Sequence, residues 1–113
     1  MPADRSPLLS GTLDLLILKT LSLGVLHGYA IAQHIQRRSG DNLRVEEGSL
    51  YPALQRMEVK GWLASETKKT PTGRQGRYYR ITAVGRRQLG AEQRSFLSSV
   101  AATTRVLLGG AGA

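Results

Sequence analysis

The stretch EEGSLYPALQRMEVKGWLASETKKTPTGRQGRYYRIT, residues Glu46 to Thr82, decides how this chain folds. Its first third reads as a helix. Ser49 suits an N-cap, and Pro52 then falls in the first turn, where its missing N–H costs nothing. Leu50, Leu54 and Met57 recur at i, i+4 and i+7 and face inward, and Gly61 ends the helix. Trp62–Lys68 and Arg77–Thr82 are extended runs. Lys69-Thr70-Pro71-Thr72-Gly73-Arg74-Gln75-Gly76 is a turn-rich connector, so the two runs form a hairpin. A short helix followed at once by such a hairpin is the pattern of a winged helix-turn-helix.

Outward from this stretch, the rest of the pattern is helical. Upstream, Leu13, Leu16, Ile17 and Leu21 make an apolar stripe over Thr12–Leu23, and Leu15, Leu18 and Leu23 widen it, so this helix is expected to be buried on much of its circumference. Gly24 ends it. A second helix spans Gly28–Arg38, with Ala30, Ile31, His34 and Ile35 on one face and Ser39-Gly40 as its stop. Asp41–Glu47 is a connector with a short strand expected around Leu43–Val45. Downstream, Thr82 is an N-cap for a last helix over residues 83–108, where Leu89, Phe96, Val100, Thr103 and Leu107 follow a heptad-like alternation. The fold class is therefore mainly α with a small β-hairpin. Its parts are an N-terminal arm (1–10, with Pro2 and Pro7 opposing helix), a winged helix-turn-helix (11–82), a C-terminal dimerisation helix (83–108) and a fraying tail (109–113).

Charge points to the partner. The chain has 113 residues, a net charge of +8 and a pI near 10.6. From Arg56 to Arg87 there are nine basic side chains, opposed only by Glu58 and Glu66. That density favours a polyanion: DNA, RNA or an acidic surface. The chain has no cysteine, which removes disulfides, thiolate metal sites and a Cys nucleophile. The apolar run Leu13–Leu26 is interrupted by Asp14 and Lys19 and is shorter than the ~20 residues a membrane span needs. It lacks the flanks of a secretory signal, so a cytoplasmic protein with no membrane partner is expected.

An α-helix fits the DNA major groove. On the third helix the outward residues are Ser49, Tyr51, Pro52, Gln55, Arg56 and Lys60. Gln pairs bidentately with adenine and Arg with guanine, so Gln55 and Arg56 are the base readers, while Ser49, Tyr51 and Lys60 position the helix on phosphates. Lys68, Lys69, Arg74 and Arg77 place the charge of the wing along the backbone or the minor groove. Competing readings of the same residues are plain. His27 and His34 are too few and wrongly spaced for a metal site, so His34 is a core or interface residue and His27 part of the turn into the second helix. Asp41, Glu46 and Glu47 are loop charges, with Glu46 or Glu47 favouring the positive end of the third helix. Ser49 lacks a nucleophile elbow, and Gly73–Gly76 is not a phosphate loop. Trp62 seals the base of the wing with Leu63 and Ile81, and Tyr78 and Tyr79 point to opposite faces of their strand. No acid, base and nucleophile assemble into an enzyme, and no metal or cofactor is expected. The alternatives to a regulator are a ligand-sensing or protein-interaction module and a non-specific RNA-binding basic protein. The tail stripe of Leu89, Phe96, Val100 and Leu107, flanked by Leu97, Ala101 and Leu108, is more apolar surface than so small a domain can cover, and a second copy would cover it.

Four pieces in order carry a family likeness: His27-Gly28-Tyr29-Ala30-Ile31, Glu47-Gly48-Ser49-Leu50-Tyr51-Pro52-Ala53-Leu54, Lys60-Gly61-Trp62-Leu63 and Gly76-Arg77-Tyr78-Tyr79-Arg80-Ile81-Thr82. The chain resembles the PadR family of bacterial transcriptional regulators over roughly residues 10–90. The resemblance implies a homodimeric repressor with one winged helix per subunit, double-stranded DNA with a palindromic operator as partner, and a C-terminal helix that builds the dimer with help from the first helix, at Leu16. It implies DNA contacts by Ser49, Tyr51 and the basic wing, with Tyr29 on a phosphate. Some members bind aromatic or drug-like effectors near the interface. The single tail helix resembles the smaller subfamily. Trp62 departs from the usual aliphatic residue, and so does the Gly/Ala ending.

Overall fold

Why these residues fold as they do is clearest at the helix ends. A computed structural model describes residues 10–110. The elements are α1 (Ser10–Leu21), β1 (Leu26–His27), α2 (Gly28–Arg38), α3 (Glu47–Val59), β2 (Leu63–Lys69), β3 (Gln75–Ile81) and α4 (Ala83–Gly109). The expected arm at 1–10 lies outside the described residues except for Ser10, which already belongs to α1. The fray expected from residue 109 also moves, because α4 runs through Gly109, and residues 111–113 lie outside the described part.

α3 begins early, its N-cap lying three residues before Ser49, the expected one. Glu46, in extended conformation, is the N-cap, and its carbonyl accepts the first bonds from the Ser49 and Leu50 N–H groups. Ser49 is therefore inside the helix, not its cap. Glu47 occupies the first turn, where its charge meets the positive end of the helix. Pro52 is consequently the sixth residue of α3, past the first turn, and its ring leaves the Gly48 carbonyl without its i+4 donor. At the other end, the Trp62 N–H reaches the Met57 carbonyl and the Gly61 N–H the Glu58 carbonyl, a Schellman closure that turns the chain into the hairpin.

The sheet has the order β1-β3-β2, all antiparallel. Its third strand is not at Leu43–Val45, as expected, but at Leu26–His27, paired with Tyr79 and Tyr78. Leu43 and Val45 instead pack as partly buried side chains against the core, in irregular backbone. The core is a single cluster in which Ile17, Leu18, Leu21, Ile31, Leu50, Leu54 and Met57 are almost wholly buried, so α1 lies at the centre with α2, α3 and the sheet around it. Leu63 and Ile81 pair across the hairpin base and close the core, with Trp62 half-buried beside them. α4 is tied to the hairpin by Thr82. Its Oγ1 accepts from the Gly85 N–H and donates to the Gly61 carbonyl at 2.7 Å. Gly85 is a steric necessity, because a Cβ there would come within 2.2 Å of the Trp62 carbonyl oxygen. Beyond Glu92 every residue of α4 is exposed, and the long axis of the molecule reaches 61 Å.

Candidate nucleic-acid interface

The inward positions of α3 are Leu50, Ala53, Leu54 and Met57, all buried. The 3.6-residue repeat then fixes what lies on the opposite side: Pro52, Gln55 and Val59, flanked by Ser49 and Tyr51, all exposed. Gln55 thus stands where the sequence places it. Val59 was missed; its hydrophobic side chain is 82% exposed.

Arg56 departs from expectation. It is half-buried, and its Nη2 donates to Asp14 Oδ1 of α1 at 2.6 Å. The guanidinium expected to read guanine is paired, in the free chain, with a carboxylate of α1. Burial pushes the Asp14 carboxyl above its ordinary range, and the attraction of Arg56, next in size, only partly offsets it. No local pattern in the sequence announces this pair, because Asp14 and Arg56 lie 42 positions apart.

Tyr51 is held by packing. The start of α2 lies so close to its ring that a Cβ at Gly28 would sit 2.8 Å from the ring edge. Burial, and then the charge of Glu47, raise the Tyr51 hydroxyl pKa, so it remains a hydrogen-bond donor through neutral pH. Tyr29, one residue on from Gly28, is 54% exposed. Of the three hydroxyl residues expected on phosphates, Tyr51 has its ring edge and hydroxyl against the start of α2, and Ser49 and Tyr29 are exposed.

The wing extends this surface. β2 and β3 pair in register from Leu63↔Ile81 to Lys69↔Gln75. The expected eight-residue connector shortens to Thr70–Arg74, closed by the Thr70 N–H on the Arg74 carbonyl at 2.7 Å. Lys69, just before that loop, and Arg74, its last residue, stand in solvent. Lys68 is exposed and lies over the Tyr78 ring at 4.7 Å, and Lys60 lies over Trp62 at the same distance. These cation–π contacts orient two ammonium groups without neutralising them. Tyr78 packs edge-on against His27, while Tyr79 is buried, so the two tyrosines do face opposite ways. Arg77 is engaged. Its Nη1 donates to Ser65 Oγ at 2.9 Å, and Ser65 Oγ donates to Glu58 Oε2 at 2.7 Å. This chain joins wing to α3, and neither Ser65 nor Glu58 was singled out from sequence.

The surface expected to pair two copies divides. Leu89 is buried in the core and is not a surface residue, because the first turns of α4 pack on α1 and β3. Leu16 is half-buried against the core. Phe96, Val100 and Leu107 are exposed at 40%, 44% and 76%, and continue the Leu89 stripe onto the overhang. Leu97, Val106 and Leu108 are exposed beside them. Between α1 and α2 lies a recess of about 320 Å³ lined by Leu16, Leu23, Ile35 and Leu43, with Lys19, His34 and Arg38 also on its wall. Among the described residues no three His, Asp or Glu side chains converge as a metal site, and no helix is long and apolar enough to cross a membrane.

Comparison with known proteins agrees with this geometry. The family model described as transcriptional regulator PadR-like matches residues 17–91. The transcriptional regulator Rv3488 of Mycobacterium tuberculosis is 40% identical over 85 residues, covering 75% of this chain and 72% of that protein. Among solved structures, smu.1704 from Streptococcus mutans superposes with a TM-score of 0.80 at 26% identity, over 93% of this chain and 94% of that one. A PadR-like transcriptional regulator from Bacillus cereus superposes with a TM-score of 0.72 at 31% identity, over 89% and 95%.

Proposed function

The chain belongs to the PadR-like family of transcriptional regulators, and on that premise we propose that it is a sequence-specific DNA-binding repressor that works as a homodimer in the cytoplasm. The observation that carries this reading is the exposed outer side of α3 set beside a basic hairpin. α3 enters the major groove with Gln55 toward base edges. Ser49, Tyr51, Tyr29 and Lys60 take phosphates on either side and fix its register. Lys68, Lys69 and Arg74 lie along the backbone or the adjacent minor groove. Arg77 steadies the wing, and Arg56 steadies α3 from behind. The Phe96–Val100–Leu107 stripe meets its copy, so two α3 helices face half-sites about one helical turn apart on a palindromic operator. Relief of repression falls to a small aromatic effector, for which the recess between α1 and α2 offers an apolar floor and a basic rim.

The test is binding of the purified chain to the DNA upstream of its own gene and to a scrambled duplex of equal length, at about 0.15 M salt. A preference of about a thousandfold or more is the mark of a specific site. Lys69→Ala should weaken both duplexes alike and lower the salt slope by about one. Equal affinity for the two duplexes would end this reading in favour of a non-specific basic protein.

A further inference from the structure

The outer stripe of α3 contains a side chain that neither charge nor hydrogen bonding accounts for. Val59 is 82% exposed, and the other large apolar side chains as open as this, Val106, Leu107 and Leu108, lie on the overhang of α4. Val59 follows Gln55 by four positions and Pro52 by seven, so the three stand in one row. At 1.5 Å of rise per residue the row spans about 10 Å, the length of roughly three base-pair steps. Homeodomain recognition helices read bases from positions at i, i+3, i+4 and i+7. Here the i+4 position is Arg56, and Asp14 has withdrawn it. What remains on the row is Gln55, which matches the donor and acceptor of an adenine edge, and two apolar groups, which match the 5-methyl of thymine. Lys60 lies over Trp62, so the row presents no guanidinium or ammonium of its own to a guanine edge.

We propose that Gln55 and Val59 together read A·T pairs, with the Gln55 amide on adenine N6 and N7 and the Val59 methyl groups against a thymine methyl. This rests on the reading of α3 as the DNA-facing helix and names what that helix selects. Val59 becomes a specificity-determining residue, and its exposure in the free protein is the apolar surface that a thymine covers.

The experiment is selection of duplexes from a random pool by the full chain, followed by replacement of the selected thymines with deoxyuridine. Each half-site should contain a conserved A·T step, and each methyl removed under Val59 should weaken binding about fourfold. Val59→Ala should bind the thymine and deoxyuridine duplexes equally, with the deoxyuridine affinity of the unaltered chain. Gln55→Ala should relax the choice of adenine at its position. Both side chains are exposed, so circular dichroism should show both variants folded. If Val59→Ala keeps the thymine preference, or the selected half-sites are G·C throughout, this assignment is overturned while the repressor reading stands. If the pool yields no sequence at all, both fall.

Discussion

Arg56 belongs to α3, among the side chains that its sequence sends outward, and its guanidinium goes the other way. The pair it makes with Asp14 illustrates a contest of two terms. The 2.6 Å contact favours the carboxylate, but Asp14 is only 15% exposed, and the loss of hydration wins, leaving its pKa above the ordinary 3.8. The folded state therefore holds the Asp14 proton more tightly than the unfolded chain. The stability that comes from this is present at pH values below about 3.8 and is lost as pH rises through the folded pKa. Asp14→Asn keeps an oxygen for Arg56 and removes the charge. Its melting temperature relative to the unaltered chain should rise as pH climbs from about 3.8 through the folded pKa of Asp14 and then level off. A relative melting temperature that falls over that window would show that the ion pair dominates. Arg56→Ala should be costly at pH 7, by about 1–3 kcal/mol, because it strands a half-buried carboxylate. Gln55 and Tyr51 were legible as outward from periodicity alone, because Leu50, Leu54 and Met57 fix the opposite face. Arg56 was not, because a side chain on the flank of a helix is claimed by whichever neighbour carries the complementary charge, and that neighbour lies on another helix.

The elements show the same division between local pattern and tertiary claim. α2 and the Thr82 cap lie where the sequence puts them, because a helix stop and an N-cap are chemistry of adjacent residues. β1 was missed because two residues carry no period of their own; Leu26 and His27 are a strand only because Tyr79 and Tyr78 lie alongside. Leu43–Val45 alternates as a strand would, but its apolar side chains are buried by packing rather than by pairing. The wing was legible as a hairpin, while its angle to α3 was not. That angle is held by the Glu58–Ser65–Arg77 chain of hydrogen bonds. Ser65→Ala should leave the fold intact and cut DNA affinity about fivefold, the effect of losing roughly one net hydrogen bond. Its salt slope should stay unchanged, since no cation is removed, whereas Lys69→Ala lowers the slope. A slope reduced equally by both substitutions would mean that Ser65 acts by releasing Arg77 from a phosphate, not by holding the hairpin.

At the scale of the whole molecule, α4 is out of proportion to the body it leaves. Its first turns are anchored through Gly85 and Leu89, and everything after Glu92 stands in solvent. Most of a helix's stability in a protein comes from packing its apolar face, and the overhang leaves that face unpacked, so a partner surface would add to its stability. The open Phe96, Leu97, Val100 and Leu107 side chains are the surface by which a second copy would hold it. Leu89 cannot test this, because it is buried and its loss would disturb the fold along with any interface. Phe96 is the discriminating position. Phe96→Asp places a charge on the stripe at the rim of a recess shared with Gly11, Thr12 and Leu15 of α1, and sedimentation should report a species of about the 12.3 kDa of one chain in place of twice that mass. Helical signal in circular dichroism should fall as the overhang frays, while the core melts as a cooperative unit. Operator affinity should fall by two orders of magnitude or more, on the order of what linking two half-site contacts contributes. A Phe96→Asp chain that still sediments at twice the monomer mass would move the interface off this stripe and toward Leu16 and the α1–α2 recess.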